Sequence, residues 1–431
     1  MMMADRLSSL KTVLWAFVGI LGAVTVVRFL YGLGAVTNLS DFAPWGLWIA
    51  FDVMAGVALA AGGFVLAAAV YIFGLEEYRP FVRPAILTAL LGYAAVAAGL
   101  VYDLGIPWHI WHPLVFWQYH SVLFEVAMCV MFYLTVLALE FAPVVLEHPW
   151  FSHPLLQRIH SGLKRMTVPL VIAGIVLSTL HQSSLGSLFL ITPYRLHPLW
   201  YSPIIYVLFF VSAVALGLMT VVLESLLAAF FLKHHLHLRP LSGLGLTAAA
   251  VLVLYVVLRL GDLALRGTLW SHLGGSWQSL LFVFELATSA VIPACLLLIR
   301  RVRASAAGLG LCAGLVVFGM VLNRIDVCLV AFARPETLGY FPSWMEVAVS
   351  LGIVAGGVLV FIFFVERFRV YEDVVVVRPE REPSFDPAAV DNLMPRPLAA
   401  PRRYSLVAVG AAAAAVLFLP AGGPEPRPVP V

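Results

Sequence analysis

Six ionisable side chains that could hold or pass protons stand inside or at the ends of long apolar runs. They are Tyr93, Asp103, Glu125, His181, Glu224 and Glu285. The last four have no opposite charge within one helical turn of their own run, although a charged group at mid-bilayer costs about 2.5–3.5 kcal/mol. We predict that the six side chains, joined by water, form a proton relay. The alternative is a set of protonated, hydrogen-bonded contacts that hold helices together.

The segment Leu177–Ser187 is the most polar stretch of any apolar run, being mostly Ser, Thr, His, Gln and Gly. A membrane helix carries this much polarity where it lines a cavity. We predict that His181 and Gln182 hydrogen-bond a quinone carbonyl, with Asp103 nearby. The flat apolar walls that such a ring needs are predicted to be Trp108, Trp111 and Trp117 of a neighbouring loop. His112 of the same loop is also predicted to bind the quinone.

Other buried charges have simpler explanations. Glu140 and Arg259 lie within about two turns of a helix end and can reach the headgroups. Asp262 lies three residues after Arg259, a spacing that favours a structural ion pair on one helix face. Arg324 and Asp326 are interpreted as neutralising each other or as pairing with a neighbouring helix, which would fix the packing.

Histidine and cysteine placement argues against resident redox groups in this chain. A membrane b-type haem needs axial ligands facing each other inside the helices, and only His181 lies clearly within an apolar run, with His120 near a helix start. The cysteines are scattered singly along the chain, whereas an iron–sulfur cluster needs them grouped. We therefore expect neither haem nor an iron–sulfur cluster here.

The composition requires a lipid environment for the elements that position these groups. Hydrophobic residues make up 62% of the 431 residues and charged residues 11%, against about 25% charged in soluble domains. A spanning helix needs about 20 apolar residues. Ten runs qualify, which predicts an all-α integral membrane protein: 12–36, 46–73, 84–104, 119–142, 167–190, 203–232, 243–264, 277–299, 306–331 and 344–366. Nothing in the sequence suggests nucleic-acid binding.

Loop charges predict the orientation. Alternate connections carry fourteen Lys and Arg residues on one side and three on the other, so the positive-inside rule puts the N-terminus in the cytoplasm. The opposite loops, at 106–117, 192–203 and 334–344, are rich in Pro, Trp, Tyr and His. They are either a belt at headgroup level or ordered loops that cover a site or a docked partner.

The sequence divides into a transmembrane domain at 1–370, a cytoplasmic linker at 371–403 and a possible eleventh helix with a short tail at 404–431. A weak internal repeat aligns helices two to five with helices six to nine. It matches Asp103 with Asp262 and Phe124-Glu125 with Phe284-Glu285. A shift of four helices preserves topology, which predicts two four-helix bundles flanked by helices one and ten.

The sequence also resembles the NrfD/PsrC family of membrane subunits, most closely its HybB-type hydrogenase members. The likeness covers about residues 10–370 and rests on the runs Pro44–Asp52, Ala60–Gly63, Arg83–Leu87, Trp111–Pro113, His120–Glu125 and Leu180–Phe189. The resemblance implies a haem-free, quinone-reactive anchor on which a periplasmic, ferredoxin-like iron–sulfur subunit docks. It also implies that Tyr93, Glu125, His181 and Glu224 serve quinone chemistry and proton transfer.

Together these features predict a multi-pass subunit of a respiratory oxidoreductase in a bacterial inner membrane. It would pass electrons between the iron–sulfur partner and menaquinone or ubiquinone, with coupled proton transfer through Tyr93, Glu125, Glu224 and Glu285. A separate catalytic redox subunit would complete the complex, and whether this chain is itself catalytic stays open. The alternatives are a secondary transporter and a purely structural anchor.

Overall fold

The computed structural model describes residues 4–41, 43–232, 234–272, 274–332 and 339–371. Its regular structure in these ranges is helical, apart from two isolated bridges, and this confirms the all-α prediction. The predicted linker beyond residue 371 and the possible eleventh helix at 404–431 lie outside the described residues.

Ten helices in the described residues are long and apolar enough to cross a membrane, as the sequence predicts. Helices satisfy their backbone groups internally, as the hydrocarbon core requires. We number them α1 to α10: Arg6–Tyr31, Trp48–Ile72, Glu76–Asp103, Val122–Leu146, Thr167–Leu190, Ile205–Leu232, Leu238–Leu265, Trp277–Leu298, Ala306–Val330 and Trp344–Arg367. The first and third begin earlier than predicted, because polar turns at Arg6 and Glu76 continue the helices beyond their apolar runs.

The connections gather at two ends. The loops after α1, α3, α5, α7 and α9 form what we call the aromatic end, where Leu196 bridges to Phe332. The loops after α2, α4, α6 and α8 form the basic end, which also holds the chain after α10. A twelve-residue helix, Pro154–Arg165, lies at the basic end. It exposes Leu155 and Ile159 beside its charges, as an interfacial helix does.

Helix contacts follow two rings. The first joins α2 to α3, α3 to α4, α4 to α5 and α5 back to α2. The second joins α6 to α7, α7 to α8, α8 to α9 and α9 back to α6. Helix α1 packs on α10, and α10 packs on α3. The two-bundle division remains our interpretation of this contact pattern.

The rings meet where α6 packs on α2 and α5, and where α9 packs on α2. A Cβ atom added to Gly217 would lie 2.4 Å from the Gly62 nitrogen, and one added to Gly62 would lie 2.8 Å from the Gly217 oxygen. Small residues allow membrane helices to approach this closely. Helix α2 is also irregular, with π-helical turns at Trp48–Ala55 and Ala68–Ile72. Such turns are rare and often occur at functional sites.

Candidate polar seam and quinone site

The centre of the candidate site is a pair of buried side chains on α3 and α5. The hydroxyl of Tyr93 lies 2.9 Å from Nδ1 of His181, and both side chains are fully buried. The Nε2 atom of His181 has no hydrogen-bond partner within the described residues. Since buried polar atoms are nearly always satisfied, this free nitrogen is suited to a ligand or to water.

Gln182 anchors the same turn of α5. Its amide nitrogen donates to the carbonyl of Val57 on α2 at 3.0 Å, while its Oε1 has no partner among the described side chains. The contact fixes the rotation of α5 against α2. On this turn of α5, Oε1 of Gln182 and Nε2 of His181 are left without a hydrogen-bond partner among the described residues.

Helices α4 and α5 form a continuous polar seam beside this pair. Near the aromatic end, the hydroxyl of Ser184 donates to Glu125 at 2.6 Å. Further in, the ring of Tyr133 packs edge-on against Tyr93, with centroids 4.6 Å apart. Ser178 lies beside both tyrosine hydroxyls. We call this set the α4–α5 seam. It brings Tyr93, Glu125 and His181 of the predicted relay into one neighbourhood.

Glu140 also belongs to the seam, contrary to its interpretation as a residue that reaches the headgroups. One carboxylate oxygen is buried without a partner among the described residues. That oxygen faces Gly174 of α5, where an added Cβ would lie 3.4 Å away. Glu140 follows Tyr133 by seven residues, which places the two on one helix face. The rotation of α4 therefore turns the carboxyl inward.

Glu224 lies on α6, toward the basic end. It accepts a hydrogen bond of 2.7 Å from the hydroxyl of Thr88 on α3. Thr88 precedes Tyr93 by five residues, about 7 Å along the helix axis. Glu224 thus approaches the same helix as the Tyr93–His181 pair, about one and a half turns nearer the basic end.

Asp103 stands apart from His181. It ends α3, ten residues and about 15 Å along the axis from Tyr93. Its nearest cation is Arg28 of α1, which donates to the carbonyls of Tyr102 at 2.8 Å and Leu104 at 2.6 Å. One carboxylate oxygen of Asp103 has no partner in the described part. A single quinone ring is too small to touch both Asp103 and His181.

The loop residues assigned to the quinone lie at the aromatic end and are exposed. Trp108 is 68% exposed and Trp111 is 47% exposed. The ring of His112 stacks on His109 with centroids 4.1 Å apart and contacts Trp111 edge-on. Trp117 is also exposed. The structure therefore separates the predicted quinone residues into a buried group at His181 and Gln182 and a surface group on this loop.

Glu285 belongs to the second ring of helices, away from the seam. It accepts hydrogen bonds of 2.7 Å from Trp200 and from Asn323 of α9. The carboxyl of Asp326 also faces it within hydrogen-bonding range. Asp326 opens a π-helical turn, and another follows Glu285 at Ala287–Val291.

The predicted ion pair between Arg259 and Asp262 is wrong. Arg259 donates to the carbonyls of Leu199 at 3.0 Å and Trp200 at 3.4 Å, whereas Asp262 pairs with Arg266 at 2.8 Å. Arg259 therefore binds backbone carbonyls of the loop after α5 instead of Asp262, and the sequence alone does not show that this loop lies beside Arg259.

Arg324 does not neutralise Asp326 but binds the neighbouring helix α6, which was the second interpretation of this residue. It donates to Asn323 and Ser212, both at 2.7 Å, and lies over the ring of Phe209. The two side chains point to different neighbours because they are two residues apart on the helix and do not share a face.

Sequence reasoning missed Arg28 and assigned no role to Asp52. Arg28 stands in α1 with 2% of its surface exposed, and Asp52 accepts a hydrogen bond of 2.5 Å from Ser350 of α10. Both residues are charged and interrupt apolar runs, which is the signal that identified His181 and Glu224. A consistent use of this signal would have found them.

Comparison with known proteins identifies the family. The family model for NrfD, the polysulphide reductase membrane protein, matches residues 35–335. The chain belongs to this family, as its sequence motifs predict.

This chain aligns with most of the length of individual relatives. A Nitratidesulfovibrio vulgaris protein is 43% identical over 80% of this chain and 90% of its own. The probable Ni/Fe-hydrogenase 2 b-type cytochrome subunit of Escherichia coli is 35% identical over 77% of this chain and 84% of its own. The menaquinone reductase integral membrane subunit of N. vulgaris is 29% identical over 83% and 91%. The chain is similar to membrane subunits of multi-subunit oxidoreductases.

The second relative's name raises the question of haem. Among the described residues, His181 is the one histidine with a buried side chain, and its Nδ1 is engaged by Tyr93. A bis-histidine haem needs two such rings facing each other. The described residues do not offer that donor pair. The expectation of a haem-free chain stays a prediction.

Proposed function

We propose that this chain is the quinone-reactive membrane subunit of a respiratory oxidoreductase. It exchanges electrons between an iron–sulfur partner subunit and menaquinone or ubiquinone, in a complex that also holds a catalytic redox subunit. The observation that carries the proposal is the buried Tyr93–His181 pair, whose Nε2 lies on the polar α4–α5 seam and has no partner among the described residues. The menaquinone reductase and hydrogenase names of two relatives support the same function.

The aromatic end suits the redox partner. Exposed rings on the loop after α3, including Trp108, Trp111 and Trp117, offer a surface rich in the aromatic residues that interfaces favour. We place this end in the periplasm and the basic end in the cytoplasm of a bacterial inner membrane, following the loop charges. The partner's clusters then lie at the aromatic end. His181 is about nine residues, or 14 Å, from the end of α5 on that side.

Reduction of a quinone to the quinol takes up two electrons and two protons, and oxidation of the quinol releases them. The partner supplies or accepts the electrons. His181 donates from Nε2 to a carbonyl oxygen of the quinone, with Tyr93 holding the imidazole in place. Gln182 accepts a hydrogen bond from the quinol hydroxyl through its free Oε1. Glu125, through Ser184, and Glu224, through Thr88, exchange protons with water at the two ends of the path. Glu285 likewise holds or passes a proton, within the second ring of helices.

Replacement of His181 tests the proposal. In the purified complex with a soluble quinone analogue, His181→Ala should lower quinone-linked turnover at least about tenfold, while electron transfer to an artificial dye at the partner subunit stays unchanged. His235→Ala removes an exposed imidazole at the basic end and serves as the matched control. Unchanged quinone turnover in a folded His181→Ala complex would refute the site.

A further inference from the structure

Four buried polar atoms follow one another along the α4–α5 seam. They are Nε2 of His181, Oγ of Ser178, the hydroxyl of Tyr133 and Oε1 of Glu140. The first and the last have no partner among the described residues, and Ser178 between them lies within hydrogen-bonding range of the Tyr133 hydroxyl. An unpaired buried polar group costs about 1–3 kcal/mol. The unpaired atoms at the two ends of this row, His181 Nε2 and Glu140 Oε1, therefore indicate that the row binds water or exchanges protons rather than only holding helices together.

The packing makes room for the last of these groups. Gly174 stands where a side chain on α5 would meet the carboxyl of Glu140, at 3.4 Å from its Oε1 and 3.4 Å from the Tyr133 ring. One turn toward the aromatic end, the same face of α5 carries Ser178, whose small side chain is fully buried. Gly174 therefore leaves a small gap beside Glu140 and Tyr133 of α4, which a Cβ atom would fill.

We propose that Glu140 is a proton-carrying residue at the basic-end limit of this gap, exchanging protons with His181 through Tyr133, Ser178 and intervening water. The inference deepens the proposed function and rests on it. Glu140 lies seven residues, about 10 Å along the axis, from Tyr133, so water has to complete the path.

The transfer balances at each group. During quinone reduction, Glu140 gives its proton to a water beside Tyr133 and regains one from the basic end. Each hydroxyl in between accepts a proton from behind and releases its own forward, and the last proton reaches the quinone oxygen beside His181. One proton moves per passage, no electron passes through these groups, and quinol oxidation runs the same steps backwards.

Glu140→Gln tests the inference in the complex reconstituted into vesicles. It should slow quinone-linked turnover at least about tenfold and raise the solvent deuterium isotope effect, because the proton step becomes limiting. Glu140→Asp keeps the acid and should restore most of the rate. Gly174→Val keeps Glu140 but fills the gap, and should reproduce the defect. Glu366→Gln is the control, since it removes a carboxyl that is exposed and pairs with Lys11 of α1.

The outcomes separate the two proposals. If His181→Ala abolishes quinone turnover while Glu140→Gln keeps wild-type rate and isotope effect, the path through Glu140 is wrong and the quinone site stands. If neither variant alters turnover, the proposed function itself fails. If Glu140→Gln and Glu140→Asp are equally slow with an unchanged isotope effect, Glu140 has a structural role and the inference is overturned.

Discussion

At the residue scale, Tyr93 orients His181. Its hydroxyl is the partner of Nδ1, and this hydrogen bond determines which ring nitrogen faces the seam. Without it, the imidazole can rotate, and a buried nitrogen is left unpaired at about 1–3 kcal/mol.

Tyr93→Phe should therefore lower both quinone-linked turnover and the thermal midpoint of the purified complex. Tyr194→Phe removes a hydroxyl from a side chain that is 98% exposed and should change neither. Wild-type turnover together with a wild-type midpoint in Tyr93→Phe would show that the hydrogen bond does not orient the imidazole.

The sequence identified the buried polar residues but not their partners. His181 and Gln182 stood out because polar groups are costly in hydrocarbon. Glu140 was misjudged because its distance from the helix end does not reveal the direction in which it points. That direction follows from Tyr133, seven residues earlier, and becomes readable only when Tyr133 is known to face α5.

At the element scale, the contact of α2 with α6 depends on glycine. A Cβ at Gly217 would overlap the α2 backbone at Gly62. Gly217→Ala should force the helices apart and destabilise the protein by about 1–3 kcal/mol, as overpacking does. Gly314→Ala, on α9, adds the same methyl group where nothing lies within 4 Å. Thermal midpoints of the two variants in detergent measure the difference, and equal midpoints would contradict the close contact.

Ion pairs tie helix ends together at the basic end. Glu147, just after α4, pairs with Arg83 of α3 at 3.0 Å and with Lys164 of the helix Pro154–Arg165 at 3.3 Å. Burial raises the pKa of Glu147, but the two cations lower it by more, so it falls below its ordinary value of 4.5. The resulting stability is complete above that ordinary value and is lost as the pH falls through the lower folded-state value.

Glu147→Gln should accordingly reduce the thermal midpoint modestly at neutral pH, since partly exposed pairs contribute little. The difference from wild type should shrink below about pH 4. Midpoints measured across this range test the sign. A difference that grows on acidification would show that the carboxyl is stabilised in its protonated form.

Helix positions were predictable because about 20 apolar residues are needed to cross the bilayer. The π-helical turns in α2, α8 and α9 were not predictable. One extra residue in a turn changes which side chains face a neighbour but leaves composition unchanged, so hydropathy carries no trace of it.

At the scale of the whole molecule, the polar groups run between the two ends rather than gathering in one pocket. Asp103 and the exposed tryptophans lie toward the aromatic end, His181 lies in the interior, and Glu140 and Glu224 lie toward the basic end. The sequence predicted these residues to serve quinone and proton chemistry, Glu140 excepted. It could not predict their depths, because depth relative to a neighbouring helix depends on packing.

A photoreactive quinone analogue tests the central claim most directly. The complex would be illuminated with the bound analogue, digested, and mapped by mass spectrometry, with excess unlabelled quinone as the competitor. The account predicts competed labels on α5 within 177–187 and on α3 near Tyr93. Labels confined to the loop 104–121, with none on α5, would contradict a quinone site at His181.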